Sequence, residues 1–307
     1  MLLRRCLSPL ASSLFVTVLT LSALPAEAAD PAPGSRIEVR PADLPAPGAT
    51  PSRSNRASPI TRRDGQMPRV PTGFKVNIFA DKLAHARWLE VAPNGDVFLA
   101  EPRAKHVLLL RDADGDGAAE SRVVFTEGFD YPHGLALHQG ALYVGDRVGV
   151  WRVPYGQAME KAAARPQRIT PEGALGGTGG HATRNIAFSP DGSKFYVSIG
   201  SAGNIAEEDE PRATIQEFAA DGSGQRTFAS GLRNPVGIAF APGTNDLYTV
   251  VNERDGLGDG LVPDYLTRVQ DGGFYGWPYS YIGSHPQPGY ADKRPDLVKK
   301  AIVPDTL

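Results

Sequence analysis

The 307-residue sequence holds a single cysteine, Cys6. It lies inside an N-terminal stretch built like a secretory leader, so the mature chain keeps none. That removes disulfide frameworks, thiolate nucleophiles, redox thiol pairs and zinc–cysteine sites from consideration. Charge of one sign is missing as well: 32 Lys and Arg stand against 34 Asp and Glu, a net of −2. Such a balance offers no basic face for nucleic acid or an anionic membrane. There is no G-x-S-x-G elbow, no H-E-x-x-H zinc helix and no G-x-x-x-x-G-K phosphate loop. "GLGDG" has too few features, and no βαβ context, for nicotinamide binding. Helical periodicity is nearly absent too; only "GQAMEKAAARPQ" carries a weak 3.6-residue period.

What is present begins with the leader. Arg4 and Arg5 precede an apolar run from Leu10 to Leu24, and Ala26-Glu27-Ala28 offers a small-x-small cleavage site. Residues 1–28 therefore read as a signal peptide, and the run is short for a membrane span. The expected location is periplasmic or secreted, with no stable membrane insertion after cleavage. Residues 29–70 are rich in Pro, Ala, Ser and Arg with little periodicity, the composition of an extended linker.

From about residue 71 to 307 the texture changes to short apolar runs separated by Gly, Asp, Asn and Pro turns, an all-β signature. Four segments share one template: "HARWLEVAPNGDVFLAE", "YPHGLALHQGALYVGD", "ATRNIAFSPDGSKFYVSIG" and "NPVGIAFAPGTNDLYTVV". Aligning Trp88, Gly134, Asn185 and Gly237 gives steps of 46, 51 and 52 residues. Repeats of that length holding several strands predict β-propeller blades, each an antiparallel sheet around a central channel. The loop entering each innermost strand then opens on one shared rim. Superposition places Ala84-His85, Asp130-Tyr131, His181-Ala182 and Arg233-Asn234 at equivalent lead-in positions. His181 follows "GGTGG", whose glycines allow close approach of backbone and ligand. The residues alone leave it open whether His181 faces a ligand or serves the loop. His85 and His133 near the rim are expected to be structural.

"GGHATRNIAFSPDG", "GLRNPVGIAFAPGT" and "VVNERDGLGDGLVPDYLTRVQDGGFYGWPYSYIG" together resemble the soluble quinoprotein sugar dehydrogenases. This is the glucose/sorbosone dehydrogenase family, dependent on pyrroloquinoline quinone (PQQ). The resemblance runs from about Pro71 to the last residue. It implies a six-bladed propeller, of which about four blades fall within this chain, and a C-terminal truncation. It further implies PQQ and Ca²⁺ at the channel mouth, oxidation of an aldose-type sugar, and an external quinone or cytochrome as electron acceptor. By the same resemblance His181 is the general base, Arg233 the cation beside the quinone oxygen, and Asn234 a cofactor-orienting neighbour. The loop "NERDGLGDG" is the Ca²⁺ loop, with Asp259 as first acidic candidate and Asp255 and Glu253 behind it. A possible second metal site is Asp112, Asp114 and Asp116, which imitate the start of a calcium loop but have Val123 at its twelfth position. Two other readings stay open: a non-catalytic propeller binding a sugar or protein at the rim, and a Ca²⁺-dependent lactone hydrolase.

Overall fold

The computed structural model describes residues 32, 34–54, 57–63 and 65–307. The leader read at 1–28, and Cys6 within it, lie outside the described residues. The chain divides into two units, the first ending at Glu38 and the second running from Val39 to Leu307. All the strands among the described residues belong to the second.

The strands form consecutive antiparallel blades. The first comprises β1 (Trp88–Val91), β2 (Val97–Glu101), β3 (His106–Arg111) and β4 (Ser121–Glu127), in spatial order. The second comprises β5 (Gly134–His138), β6 (Ala141–Gly145), β7 (Val150–Pro154) and the short β8 (Gln167–Arg168). The third comprises β9 (Arg184–Phe188), β10 (Lys194–Ile199), β11 (Thr214–Ala219) and β12 (Arg226–Ser230), with Gly273–Phe274 pairing in parallel along β12. The fourth has β13 (Asn234–Phe240), β14 (Leu247–Asn252) and β15 (Tyr265–Arg268), and a single bridge from Leu266 to Thr306 beyond them. The four aligned positions of the repeat thus fall on β1, β5, β9 and β13, each the first strand of its blade.

Local chemistry explains the hairpins. In "PNGD" the Asn94 side chain accepts from the Asp96 N–H, and Gly95 takes φ +89°. In "PDGSK" Asp191 accepts from the Ser193 N–H and Gly192 takes φ +71°. These are turn positions that a side chain with Cβ tolerates poorly. The second strand of each of the first three blades is buried on both faces, as "FLA", "ALYVG" and "FYVSI" require. Between neighbouring blades lie three apolar cores: Phe98, Leu109, Leu135 and Leu142 between blades one and two, Tyr143, Ile186, Phe195 and Phe218 between two and three, and Tyr196, Ile215, Ile238 and Tyr265 between three and four. The weak helical period at residues 156–167 is not realised as a helix. Bends run there, and Met159 and Ala162 use their spacing to cover the first of these cores.

A polar string crosses the inner strands. Arg87 Nε donates to His133 Nε2 at 2.9 Å, so His133 Nδ1 carries the hydrogen and donates to Asn185 Oδ1 at 3.0 Å. Asn185 Nδ2 donates in turn to the Val236 carbonyl. Each bond passes from one blade to the next. Blade spacing here leaves no room for side chains. A Cβ on Gly134 would lie 2.6 Å from Asn185 Cα and closer still to the Arg184 carbonyl. Gly134→Ala is therefore expected to destabilise the fold by about 3 kcal/mol through overpacking, read as a lower urea midpoint with unchanged slope.

Part of the Pro-rich segment is tied down. Gly48 N donates to Leu257 O at 2.6 Å, Gly258 N to Ser52 Oγ at 3.0 Å, and Asp259 N to Thr50 Oγ1 at 2.9 Å. Leu44 packs on the core between blades three and four. No helix among the described residues is long and apolar enough to cross a membrane.

Candidate active site

The lead-in loops meet at one rim, as the blade alignment requires. The rings of His85 and Tyr131, from the first two lead-ins, lie 6.4 Å apart. The third and fourth lead-ins, carrying His181 and Arg233, are joined through Ser201, which follows β10. Ser201 accepts from the His181 N–H at 3.0 Å through its carbonyl and donates its own N–H to the Arg233 carbonyl at 2.8 Å.

The imidazole of His181 is half-buried. Its Nδ1 lies 2.8 Å from the Ser201 carbonyl and 3.1 Å from Ser201 Oγ. A carbonyl only accepts, and Ser201 Oγ spends its proton on the Gly203 carbonyl at 2.7 Å. Nδ1 therefore carries the ring hydrogen, and Nε2 keeps a lone pair. Burial holds the imidazole pKa below its ordinary value; the bond to Ser201 opposes this, and the positive charges of Arg233 and Arg212 add to it. At neutral pH the group is a neutral base of fixed tautomer.

Arg233 is buried, yet its guanidinium meets no carboxylate among the described residues. It is anchored by oxygen dipoles instead. Nε donates to Asn204 O at 3.0 Å, Nη1 to Asn252 O at 3.2 Å and Glu253 O at 2.7 Å, and Nη2 to Asn204 Oδ1 at 3.1 Å. Four of its five N–H donors are committed, which leaves one on Nη2. Trp277, also buried, donates its indole N–H to the same Asn204 carbonyl at 3.2 Å. Asn234, the first residue of β13, presents a buried Oδ1 that has no hydrogen-bond partner. It sits against His181, since a Cβ on Gly200 would meet both Asn234 Oδ1 and, at 2.6 Å, His181 Cβ.

The acidic candidates divide. Glu253 is buried and accepts only from the Arg254 N–H, and burial pushes its carboxyl up to about 7. Asp255 and Asp259 are exposed. These three do not converge as a set of ligands; among the described residues the one such cluster is Asp112, Asp114, Asp116 and Glu120, whose oxygens lie within 4.8 Å of one another. Glu120 closes that loop at its ninth position, where the twelfth-position test looks at Val123. The cluster occupies the β3–β4 hairpin, at the opposite end of its blade from the lead-in loops. Asp264, which no motif or repeat position marks, accepts from Asn252 Nδ2 at 2.6 Å and from the Glu253 N–H at 2.8 Å, and so shapes the loop that holds Arg233. Ser201 and Asn204 were missed for a common reason: both follow the second strand of blade three, outside the stretch the repeat template indexes.

Four successive blades, with a neutral imidazole and a dipole-anchored arginine on one rim, define a β-propeller. The chain belongs to the TrAA12-like family, whose model matches residues 68–262. It is 23% identical over 250 residues to an uncharacterised protein of Borreliella burgdorferi, covering 75% of this chain and 62% of that one. The chain thus spans less than two thirds of the length of that curated relative. Among solved structures it is similar to the holo form of the pyranose dehydrogenase PQQ domain from Coprinopsis cinerea, with a TM-score of 0.63 and 20% identity over 77% of this chain and 68% of that one. It is also similar to an iodide structure of the Trichoderma reesei family AA12 carbohydrate-active enzyme (TM-score 0.61, 19% identity, 76% and 65% covered). A third is the PQQ-bound aldose sugar dehydrogenase of Streptomyces coelicolor (TM-score 0.53, 18% identity, 70% and 68% covered). At these identities the likeness is one of fold.

Proposed function

We propose that the chain oxidises an aldose-type sugar at this rim with PQQ as its cofactor, and that an external quinone or cytochrome collects the electrons. The observation that carries the reading is the pairing, through Ser201, of a neutral imidazole with an arginine that keeps one N–H in reserve. The leader expected at residues 1–28 supports placing this activity in the periplasm or outside the cell.

The residues present suit a planar polyanion. Arg233 has no carboxylate partner among the described residues and an uncommitted donor, and exposed Arg87 commits Nε alone. Asn234 Oδ1 is a buried acceptor still lacking a donor. Bound there, PQQ supplies a hydride-accepting ortho-quinone and three carboxylates. Calcium fits this loop less well, because Glu253, Asp255 and Asp259 do not gather. A hard cation on residues 252–260 would rest on backbone carbonyls with Asp259 as its exposed carboxylate.

The protein's own part is acid–base and electrostatic. His181 Nε2 takes the proton of the sugar's C1 hydroxyl while the C1 hydrogen leaves as hydride, and the hemiacetal becomes a lactone. Ser201 holds the ring through Nδ1 as positive charge develops on it. Arg233 provides a fixed cation, already desolvated and paid for by three carbonyls and one amide oxygen, to balance negative charge gathering nearby.

Titration of the full chain with PQQ, with and without Ca²⁺, followed by dye reduction with a panel of aldoses, tests the reading. The expected result is saturable change in the quinone spectrum and dye reduction by at least one aldose. PQQ binding with no aldose turnover would instead assign a non-catalytic propeller, and lactone cleavage without PQQ a hydrolase.

A further inference from the structure

The loop from Leu175 to His181 is nearly all glycine and has almost no side chains with which to hold its own shape. Gly176, Gly177 and Gly180 adopt φ of +72°, +73° and +66°, a conformation few other residues would choose. Left alone, such a segment would sample many states, and the imidazole at its end would move with it.

The loop is instead held from outside by guanidinium groups. Arg212 Nε donates to Gly176 O at 3.0 Å, Nη2 to Gly177 O at 3.1 Å and Gly179 O at 2.5 Å, and Nη1 to Gly200 O at 3.2 Å and His181 O at 3.5 Å. Arg184, fully buried, donates to the carbonyls of Leu175, Gly177, His181 and Thr183 at 2.6–3.2 Å. Arg147 reaches Thr178 O at 3.4 Å. Of the seven carbonyls from 175 to 181, all but that of Gly180 thus receive an arginine N–H. Neither Arg212 nor Arg184 forms an ion pair among the described residues. Burying a charge without a counter-charge is costly, and a loop needing only to connect two blades would not require it.

We infer that Arg212 is the positioning residue for His181: its five-donor fork locks the glycine loop so that the imidazole stays on Ser201 with Nε2 presented to substrate. A lysine keeps the positive charge but is a point donor on a flexible stem, unable to span five carbonyls. The assignment rests on the sugar-oxidation reading for its catalytic meaning, but the geometry it predicts is measurable without turnover.

The test is Arg212→Lys in the full chain, with Arg212→Gln alongside in case the lysine variant does not fold. In the PQQ-free chain, histidine-selective NMR follows the Nδ1–H resonance of His181, assigned by its loss in His181→Gln. The PQQ-loaded chain gives kcat and KM for an aldose. The expected result is loss of the Nδ1–H resonance to solvent exchange, with kcat about 100-fold lower and KM changed less than about twofold. A resonance that survives in the variant overturns the inference. If the resonance disappears but even the wild-type chain oxidises no aldose, the positioning role stands and the sugar-oxidation reading falls.

Discussion

In chains carrying His181→Gln, aldose turnover falls about a thousandfold while PQQ still binds. Glutamine has similar reach and an amide N–H able to donate to the Ser201 carbonyl, so the loop keeps its anchor. It has no basic nitrogen to take the place of Nε2. The pH profile separates loss of the base from loss of shape. On the proposed reading the neutral imidazole is the active form, so kcat/KM of the wild-type chain is expected to rise with pH. The midpoint of that rise lies below the ordinary imidazole value, because burial and then the charges of Arg233 and Arg212 disfavour the protonated ring. The glutamine variant loses this acid limb and shows a flat, low profile. Steady-state dye reduction from mildly acidic to neutral pH measures both effects, and an unchanged profile in the variant removes His181 from the role.

The second large effect is acid instability built around His133. Its ring is enclosed, and burial, with the Arg87 charge behind it, lowers its pKa from 6.5 to about 4. The unfolded chain takes up this proton as pH falls through 6.5, whereas the folded chain resists until about 4. The neutral ring's contribution is therefore complete above pH 6.5 and declines as the pH falls through that window, by about 3 kcal/mol in all. Protonation would also place an N–H on Nε2 against the N–H of Arg87 Nε, breaking the string between the first two blades. Glu253 acts in the opposite sense: its carboxyl, raised to about 7, gives stability that is lost as pH rises. The diagnostic quantity is thus the difference between wild type and His133→Gln. Urea midpoints of the two should converge as the pH is lowered from 7 toward 4, the variant being the weaker at neutral pH. A constant gap would show that His133 takes up its proton over the same pH range in the folded and unfolded chains, and so is not held neutral by the fold.

The architecture was legible because it repeats. Trp88, Gly134, Asn185 and Gly237 occupy one register in four copies, and the structure places all four on the first strand of a blade. The same register brings His181 and Arg233 to one rim. What escaped has no counterpart in the other copies. Arg212, Ser201 and Asn204 lie between β10 and β11, in a connection far longer than its counterparts in the first two blades. Their bonds go mostly to backbone oxygens, which leave no trace in side-chain pattern. Glu120 escaped because the calcium-loop template counts to twelve, whereas this hairpin folds back by the ninth residue. The docking of Leu44 to Ser52 is invisible to composition, which averages a few anchoring residues with many solvated ones.

That docking has a consequence for assembly. Ser52 and Thr50 bond to residues 206 and 209 positions further along the chain. Closing so long a loop is entropically slow to be rewarded. The bonds that tie residues 257–259 to residues 48–52 form only once this segment has returned to the last blade. The same loop borders the carbonyls that hold Arg233. The rim is therefore expected to take its final shape late in folding, after the blades are in place.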